Sequence, residues 1–485
     1  MRAPYPQTRY AYAPGRSRYI SISGAEMREI MNIIVVGCGK VGYTLVEQLN
    51  NEGHSVTLID KNRYALENAV SKLDIMGIHG NGGSYRVQEE AGIASADLMI
   101  AVTNQDEVNL LSCLIAKQAG HCQTIARVRS PEYYEEIRFI KEELKLAMAI
   151  NPERSAAYDI LKLIQVPSAM EVDAFARGRI NLISFKIPEH SPLADKRIME
   201  VSGIMGNNSL VCVVQREGGT IIPDGNTKLR SKDKVSVVMP FSEMSQFFER
   251  VKLANKPIKS VMIAGGGGIS FYLSKELIKA GVQVKIFETD TAICERLSEK
   301  LPEAVIINGN AADESLLDEE GIRETDAFIA LTNMDEENIM LSMYVNSISK
   351  AKLITKINKI SFENVISDMP IGSVICPKNI TAEKIIKHVR SMQNSVDSRD
   401  VESLYRLMDN KVEALEFNVK DCEENKKFVG KTLTELTLKK NLLICSINRN
   451  GLIITPSGKD TIEIGDTVVV VTSNMKLSKI SDILG

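Results

Sequence analysis

The stretch Met31–Asp60, MNIIVVGCGKVGYTLVEQLNNEGHSVTLID, decides how the chain reads. An apolar run, Ile33–Val36, stops at Gly37, and Gly37, Gly39 and Gly42 give G-x-G-x-x-G. Val41, Leu45 and Leu49 then recur at helical spacing, and a second apolar run, Val56–Ile59, ends on Asp60. The order is strand, tight turn, helix, strand. Glycines let the chain turn and let backbone N–H groups approach a pyrophosphate, and the helix start adds partial positive charge. Asp60 follows the first glycine by 23 positions, close to the roughly 20 expected of a ribose-binding acid. The competing reading is a glycine turn needed only to pack a helix on a sheet. Strand before, helix after and an acid at the second strand's end favour nucleotide binding.

At 485 residues the chain exceeds one ordinary domain, and three or four are expected. With 44% hydrophobic and 25% charged residues it has a globular composition. A net charge of −3 gives no basic field for nucleic acid. No apolar run reaches the about 18 residues of a membrane span, so a membrane role would be peripheral. Eight cysteines are scattered without C-x-x-C, which suits reduced thiols in the cytoplasm. The five histidines show no metal-ligand spacing.

Residues 1–30 carry Arg2, Arg9, Arg16, Arg18 and Arg28 with little apolar periodicity. They are expected to be disordered, or to lie upstream of a true start at Met31; a basic arm is the other reading. From Met31 on, strands and helices alternate. Strands are expected at Ile75–Ile78, Leu98–Val102, Thr124–Val128 and Leu146–Ile150, with helices between. Asp106 or Asn104 is positioned to cap the helix that follows Thr103. This alternation predicts a parallel, doubly wound sheet over 31–150. A crossover helix and hinge (151–170) then lead to a small subdomain of short strands and turns (171–255).

At Lys259 the pattern restarts. Val261–Ala264 runs into Gly265, Gly266, Gly267, Gly268, Ile269 and Ser270, and Glu288 ends the next strand. Gly265 follows Gly37, and Glu288 follows Asp60, by 228 residues; Gly309 follows Gly80, and Thr332 follows Thr103, by 229. Asp233 and Asp466, one in each small subdomain, are 233 apart. The chain is therefore a duplication. It comprises a second doubly wound domain (257–376), a second crossover (377–400) and a second small α+β subdomain (401–485).

In a sheet of this type ligands bind outside the carboxyl ends of the strands. Gly37, Cys38, Gly39, Lys40, Val41 and Gly42 follow strand one, Asp60 strand two, Gly80 and Asn81 strand three, and Thr103 and Asn104 strand four. Arg127 lies on strand five. Asp60 suits ribose hydroxyls and opposes a 2′-phosphate, which favours NAD or an adenine nucleotide over NADP. Arg127 offers a planar fork to phosphate, with an ion pair as the plainer reading. For Thr103 and Asn104 the plainer reading is turn formation and capping, and for Lys40 a solvated lysine. The second half departs at two points. Ser270 stands where Gly42 does, and Lys356 replaces Arg127. The second site is therefore expected to bind nucleotide more weakly, or to bind a different one. Neither small subdomain offers a His-centred cluster for hydride transfer, so no catalytic residue is assigned and both sites read as sensors.

GCGKVG after MNIIVV, then LID, AVTNQDEVN, IARV and NPE, all echoed in a second copy, resemble the TrkA family of tandem KTN/RCK-domain potassium-transport regulators. The resemblance covers Met31–Gly485. It implies a peripheral subunit on the inner face of the cell membrane, bound to a separate integral potassium transporter of the Trk/Ktr type. It also implies binding of NAD+ or NADH, or of ATP or ADP, and pairing of the domains into a dimer or tetramer through the crossover helices, here Ala156–Leu163 and Ala382–Met392. By motif position, binding carries over to Gly37–Val41, Asp60, Thr103, Asn104 and Arg127. In the second half it carries to Gly265, Gly266, Gly267, Gly268, Ile269, Glu288, Thr332, Asn333 and Asp335. Gly268 and Ser270 depart from the family's usual G-G-G-N-I-G. The alternative from another class is a soluble NAD-dependent oxidoreductase.

Overall fold

The computed structural model describes residues 19–22, 25–175, 180–206, 208–217, 219–253, 256–358, 365–366, 369–396, 401–407, 412–473, 477 and 479–485. The chain divides into two compact units, Met1–Asn151 and Pro152–Gly485. Within the first 30 residues, β1 (Tyr19–Ile22) and β2 (Ala25–Glu29) pair antiparallel. Residues 1–18 and 23–24 lie outside the described residues.

The first unit then runs β3 (Asn32–Val36), α1 (Lys40–Asn51), β4 (Ser55–Asp60), α2 (Arg63–Lys72), β5 (Met76–His79) and α3 (Tyr85–Glu90). It continues through β6 (Leu98–Ala101), α4 (Asp106–Gly120), β7 (Gln123–Arg127), α5 (Pro131–Glu135), α6 (Ile137–Glu143) and β8 (Met148–Ile150). The six strands from β3 to β8 are all parallel, in the order β5-β4-β3-β6-β7-β8. Helices cover both faces, so Ile33, Ile34, Val35 and Val36 are all buried and β3 reads as an unbroken apolar run. The order reverses on either side of β3, and that switch point opens a crevice at its carboxyl end.

The second unit opens with α7 (Pro152–Gln165). Its first small subdomain follows: β9 (Glu171–Phe175), β10 (Ile180–Lys186), α8 (Ile198–Met205), β11 (Leu210–Arg216), β12 (Gly219–Ile221), β13 (Lys234–Pro240) and α9 (Met244–Arg250). The strands form an antiparallel sheet in the order β12-β11-β13-β10-β9. Phe185, Phe247 and Phe248 meet edge to face beneath it.

The second doubly wound domain comprises β14 (Ser260–Ala264), α10 (Gly268–Lys279), β15 (Gln283–Glu288), α11 (Thr291–Lys300), β16 (Val305–Asn308) and α12 (Glu314–Glu319). Then come β17 (Ala327–Ala330), α13 (Asp335–Ile348), β18 (Lys352–Lys356) and β19 (Ser373–Ile375). Its order, β16-β15-β14-β17-β18-β19, repeats that of the first. After α14 (Pro377–Val396), the strands β20 (Val401–Leu407), β21 (Val412–Asn418), β22 (Leu442–Arg449), β23 (Leu452–Ile454) and β24 (Thr467–Thr472) repeat the small sheet as β20-β21-β24-β22-β23.

The aligned aspartates of the two small subdomains do the same work. Asp233 takes two hydrogen bonds from Arg216 at 2.8 and 2.7 Å, and Asp466 takes two from Arg449 at 2.9 and 2.8 Å. Both carboxylates are buried, so each paired, bidentate contact fixes its turn. The small subdomains also share a core. Leu182, Cys212 and Val238 of one sheet pack with Ala414, Cys445 and Val471 of the other. The crossover helix α7 buries Ala156, Ala157, Ile160 and Leu163 in the core of the second doubly wound domain, with Ile269, Leu273 and Leu277 of α10. Alanines on α7 allow the two helices to approach closely.

Candidate functional site

In the first unit the glycine loop is a tight piece of packing with one gap in it. Gly37 adopts φ +106°, where a side chain is strained, and its N–H donates to Ile59 O at 2.8 Å. A Cβ on Gly37 would lie 2.9 Å from Thr103 N, and one on Gly42 only 1.8 Å from Gly37 O. Those two glycines are required by the fold itself. Gly39, at the N-cap of α1, is different, since a Cβ there would meet nothing within 4 Å. Its bareness leaves open space over the helix start, where backbone donors can face an anion.

Asp60 closes the other side of the loop. One carboxylate oxygen accepts from Cys38 N in a short hydrogen bond, and the other accepts from Asn62 N at 2.6 Å. Gly80 N donates to Asp60 O at 3.0 Å, joining the end of β5 to the same corner. Burial, and then the Asp60 charge, push the Cys38 thiol above its ordinary range. Cys38 therefore stays protonated and is a poor nucleophile.

Asn109 organises the far side. It is fully buried on α4. Its Oδ1 accepts from Thr103 N at 2.8 Å and from Thr103 Oγ1 at 2.7 Å. Its Nδ2 donates to Thr103 O at 3.1 Å and Arg127 O at 2.9 Å. One side chain thus ties the ends of β6 and β7 together beside the glycine loop. Arg127, half-buried, reaches back to Val102 O at 3.5 Å. Lys40, Asn81 and Asn104 stand exposed at the rim.

Sequence reasoning missed Asn109, although one signal was available. Asn338 holds the same position in the second half and makes three of the same four bonds, with Thr332 N, Thr332 O and Lys356 O. The expectation that Asp106 or Asn104 caps α4 is corrected. The N-cap is Gln105, without a side-chain cap bond. Asp106 lies inside the helix, and its carboxylate instead accepts from Arg129 N and Ser130 N, both at 2.7 Å. The carboxylate prefers two backbone donors across the sheet edge to the helix start beside it.

The second half builds a variant of this cradle. Gly265 adopts φ +101° and donates to Phe287 O at 2.8 Å. Glu288, one methylene longer than Asp60, accepts from Gly266 N at 2.8 Å, Thr289 N at 2.7 Å and Asp290 N at 2.9 Å. Gly267 again borders open space. Ser270 is buried and donates to Gly265 O at 2.5 Å. Lys356 is buried with its ammonium 3.1 Å from Leu331 O. Asp335 accepts from Asn358 N at 2.9 Å, which makes it a structural tie like Asp106. Gly268 and Ile269 form the first turn of α10, and Thr332 and Asn333 follow β17.

Among the described residues no group of His, Cys, Asp and Glu is placed to hold a metal ion. Among the same residues no helix is long and apolar enough to cross a membrane.

The family model of the TrkA-N domain matches residues 33–152 and 261–377, and that of the TrkA-C domain matches 182–252 and 422–485. The chain belongs to the TrkA family. A Trk system potassium uptake protein TrkA from Haemophilus influenzae is 31% identical over 463 residues, covering 92% of this chain and 96% of that protein. One from Vibrio alginolyticus is 32% identical over 450 residues, with the same coverage. A TrkA homolog from Archaeoglobus fulgidus is 32% identical over 455 residues, covering 93% of this chain and all of that one. Among solved structures, the GsuK RCK domain superposes with TM-score 0.59 at 17% identity, covering 96% of each chain. The GsuK channel bound to NAD superposes with TM-score 0.59 at 16% identity, covering 95% of this chain and 79% of that one. The tandem TrkA-N/TrkA-C order accounts for the duplication, and the GsuK likeness is one of fold.

Proposed function

We propose that the chain is a nucleotide-binding regulatory subunit of a Trk-type potassium uptake system, working on the cytoplasmic face of the membrane with a separate integral transporter. The observation that carries this is the open space at Gly39, between the α1 N-terminus and Asp60, in a chain related along nine-tenths of its length to potassium uptake proteins. The cradle fits a dinucleotide or adenine nucleotide. Gly37–Val41 would hold the pyrophosphate through backbone N–H groups, and Asp60 would accept from ribose hydroxyls. Thr103, Asn104 and Arg127 would face the far phosphate. NAD+, NADH, ATP and ADP all match this set. Gly265–Ile269, Glu288, Thr332 and Asn333 form the corresponding second site.

The output is mechanical. α7 leaves the first sheet at β8 and packs on α10, at the glycine loop of the second domain. A ligand that favours one arrangement of the crossover helices shifts the population of shapes only by its difference in affinity between them. A preference of about 100-fold, roughly 2.7 kcal/mol, suffices to bias an attached transporter. Assembly of several copies is supported by matched apolar pairs on the outer faces of α4 and α13. Leu111 and Leu114 are 46% and 37% exposed, and Met340 and Met343, their counterparts, are 66% and 36% exposed.

The oxidoreductase alternative is not favoured. His190, the one histidine in either small subdomain, is an exposed turn residue, and the sheets around it bury apolar faces against each other. The deciding experiment purifies the protein with its membrane fraction and measures potassium flux with and without NAD, NADH, ATP and ADP. Co-purification with an integral transporter and nucleotide-dependent flux are expected. Hydride-transfer turnover with flux indifferent to nucleotide would overturn the proposal.

A further inference from the structure

The two cradles differ in charge at corresponding positions. Around the first stand Lys40 at the start of α1, Lys61 and Arg63 after Asp60, and Arg127 on β7. Their counterparts in the second half are Gly268, Thr289, Thr291 and Lys356. Three cations are gone. The fourth, Lys356, is buried with its ammonium on Leu331 O, where Arg127 likewise holds Val102 O, and it lacks the guanidinium fork. An acid is added on the same side. A Cβ on Gly268 would lie 3.1 Å from Glu153 Cγ, so α7 lays a carboxylate-bearing side chain against the first turn of α10. Asp290 takes the N-cap of α11, where neutral Asn62 caps α2.

We infer that the two cradles select ligands of different charge. The first takes a nucleotide with several phosphates; the second takes a nucleoside carrying at most one. This rests on the reading of both loops as nucleotide sites and adds what each discriminates. At the first rim each added phosphate gains from the four surrounding cations. At the second it meets the Glu153 carboxylate and loses the partial positive charge of the helix start to it. The chain would then report two quantities, a polyphosphate on one half and its dephosphorylated product class on the other.

The test is calorimetry on the full chain in EDTA, with adenosine, AMP, ADP and ATP. Gly267→Val blocks the second cradle and Gly39→Val the first; both positions border open space, so the fold accommodates valine. Asp60→Ala and Glu288→Ala serve as a second pair if either valine variant fails to fold. With the second cradle blocked, ATP should bind at least about tenfold more tightly than AMP, and the advantage should shrink as salt rises. With the first blocked, adenosine and AMP should bind at least as tightly as ATP. Adding Glu153→Gln to that variant should tighten ATP by about threefold or more. An equal climb from AMP to ATP at both cradles, no binding to the second cradle at all, or no effect of Glu153→Gln would overturn the division while leaving the first site's reading intact. Failure of the wild-type chain to bind any of these ligands, or NAD+ or NADH titrated alongside, would refute the nucleotide reading itself, and binding of NAD+ or NADH alone would overturn only the division.

Discussion

The two glycine loops have the same length and the same place at a sheet's switch point, yet they are held together differently. In the first, α1 sits so close to its turn that a Cβ at Gly42 would fall 1.8 Å from Gly37 O. In the second, α10 stands off far enough to hold a serine, whose hydroxyl donates to Gly265 O. Asp60 grips its loop with one carboxylate oxygen and Asn62 with the other, whereas Glu288 uses its extra methylene to reach three backbone donors. A duplicated motif therefore keeps its geometry through different contacts. What varies is what the motif leaves exposed to a ligand.

Exchanging the two residues should break this comparison most sharply. Gly42→Ser forces backbone out of van der Waals contact and is expected to cost about 2–4 kcal/mol, read as a lowered denaturation midpoint. The reverse change, Ser270→Gly, removes one hydrogen bond and adds chain freedom, for about 1–2 kcal/mol. Equal effects would show that both helices stand at the same distance from their turns.

Asn109 and Asn338 are where the halves agree, so their truncation should behave alike. Asn109→Ala leaves Thr103 N, Thr103 O and Arg127 O without their partner, and about 2–3 kcal/mol should be lost. Asn338→Ala should match it within about 1 kcal/mol. A large difference would mean that one half has a substitute donor.

The last comparison concerns a contact made by the second half. Lys352 donates to Pro167 O at 2.7 Å and Ala169 O at 2.5 Å, clipping β18 to the hinge after α7. Its counterpart in the first half is Gln123. Burial pushes the Lys352 pKa down to about 7, against about 10.4 for a free lysine. Between those values the unfolded chain holds the extra proton, so stability rises with pH across that window. Lys352→Met should flatten the rise, measured as denaturation midpoints at about pH 7 and about pH 9.5. An unchanged slope would assign the pH dependence to another group.

Much of the fold was legible because it rests on periodicity. Apolar runs of four to five residues ending on glycine or acid gave the parallel strands, and constant spacing between Gly37 and Gly265, and between Asp60 and Glu288, gave the duplication. The Gly42-to-Ser270 exchange was legible as tolerable, but the hydroxyl's bond to Gly265 O depends on the helix stand-off, which sequence does not encode locally. Asn109 was missed because a polar residue on an amphipathic helix reads as a solvated one. Only its recurrence at Asn338, six residues past the threonine in both halves, marks it. Asp106 was misread because capping is a local rule, and its true donors, Arg129 N and Ser130 N, lie across the sheet edge. The shared core of the small subdomains depends on long-range packing of sheet faces that alternate like any other strands.

In the first cradle a nucleotide would be anchored by Asp60. Calorimetric titration of NAD, NADH, ATP and ADP into the wild-type chain and into Asp60→Ala tests this most directly. Saturable binding to the wild type, weakened at least about tenfold in the variant, is the predicted result. Affinity that Asp60→Ala leaves unchanged would contradict it.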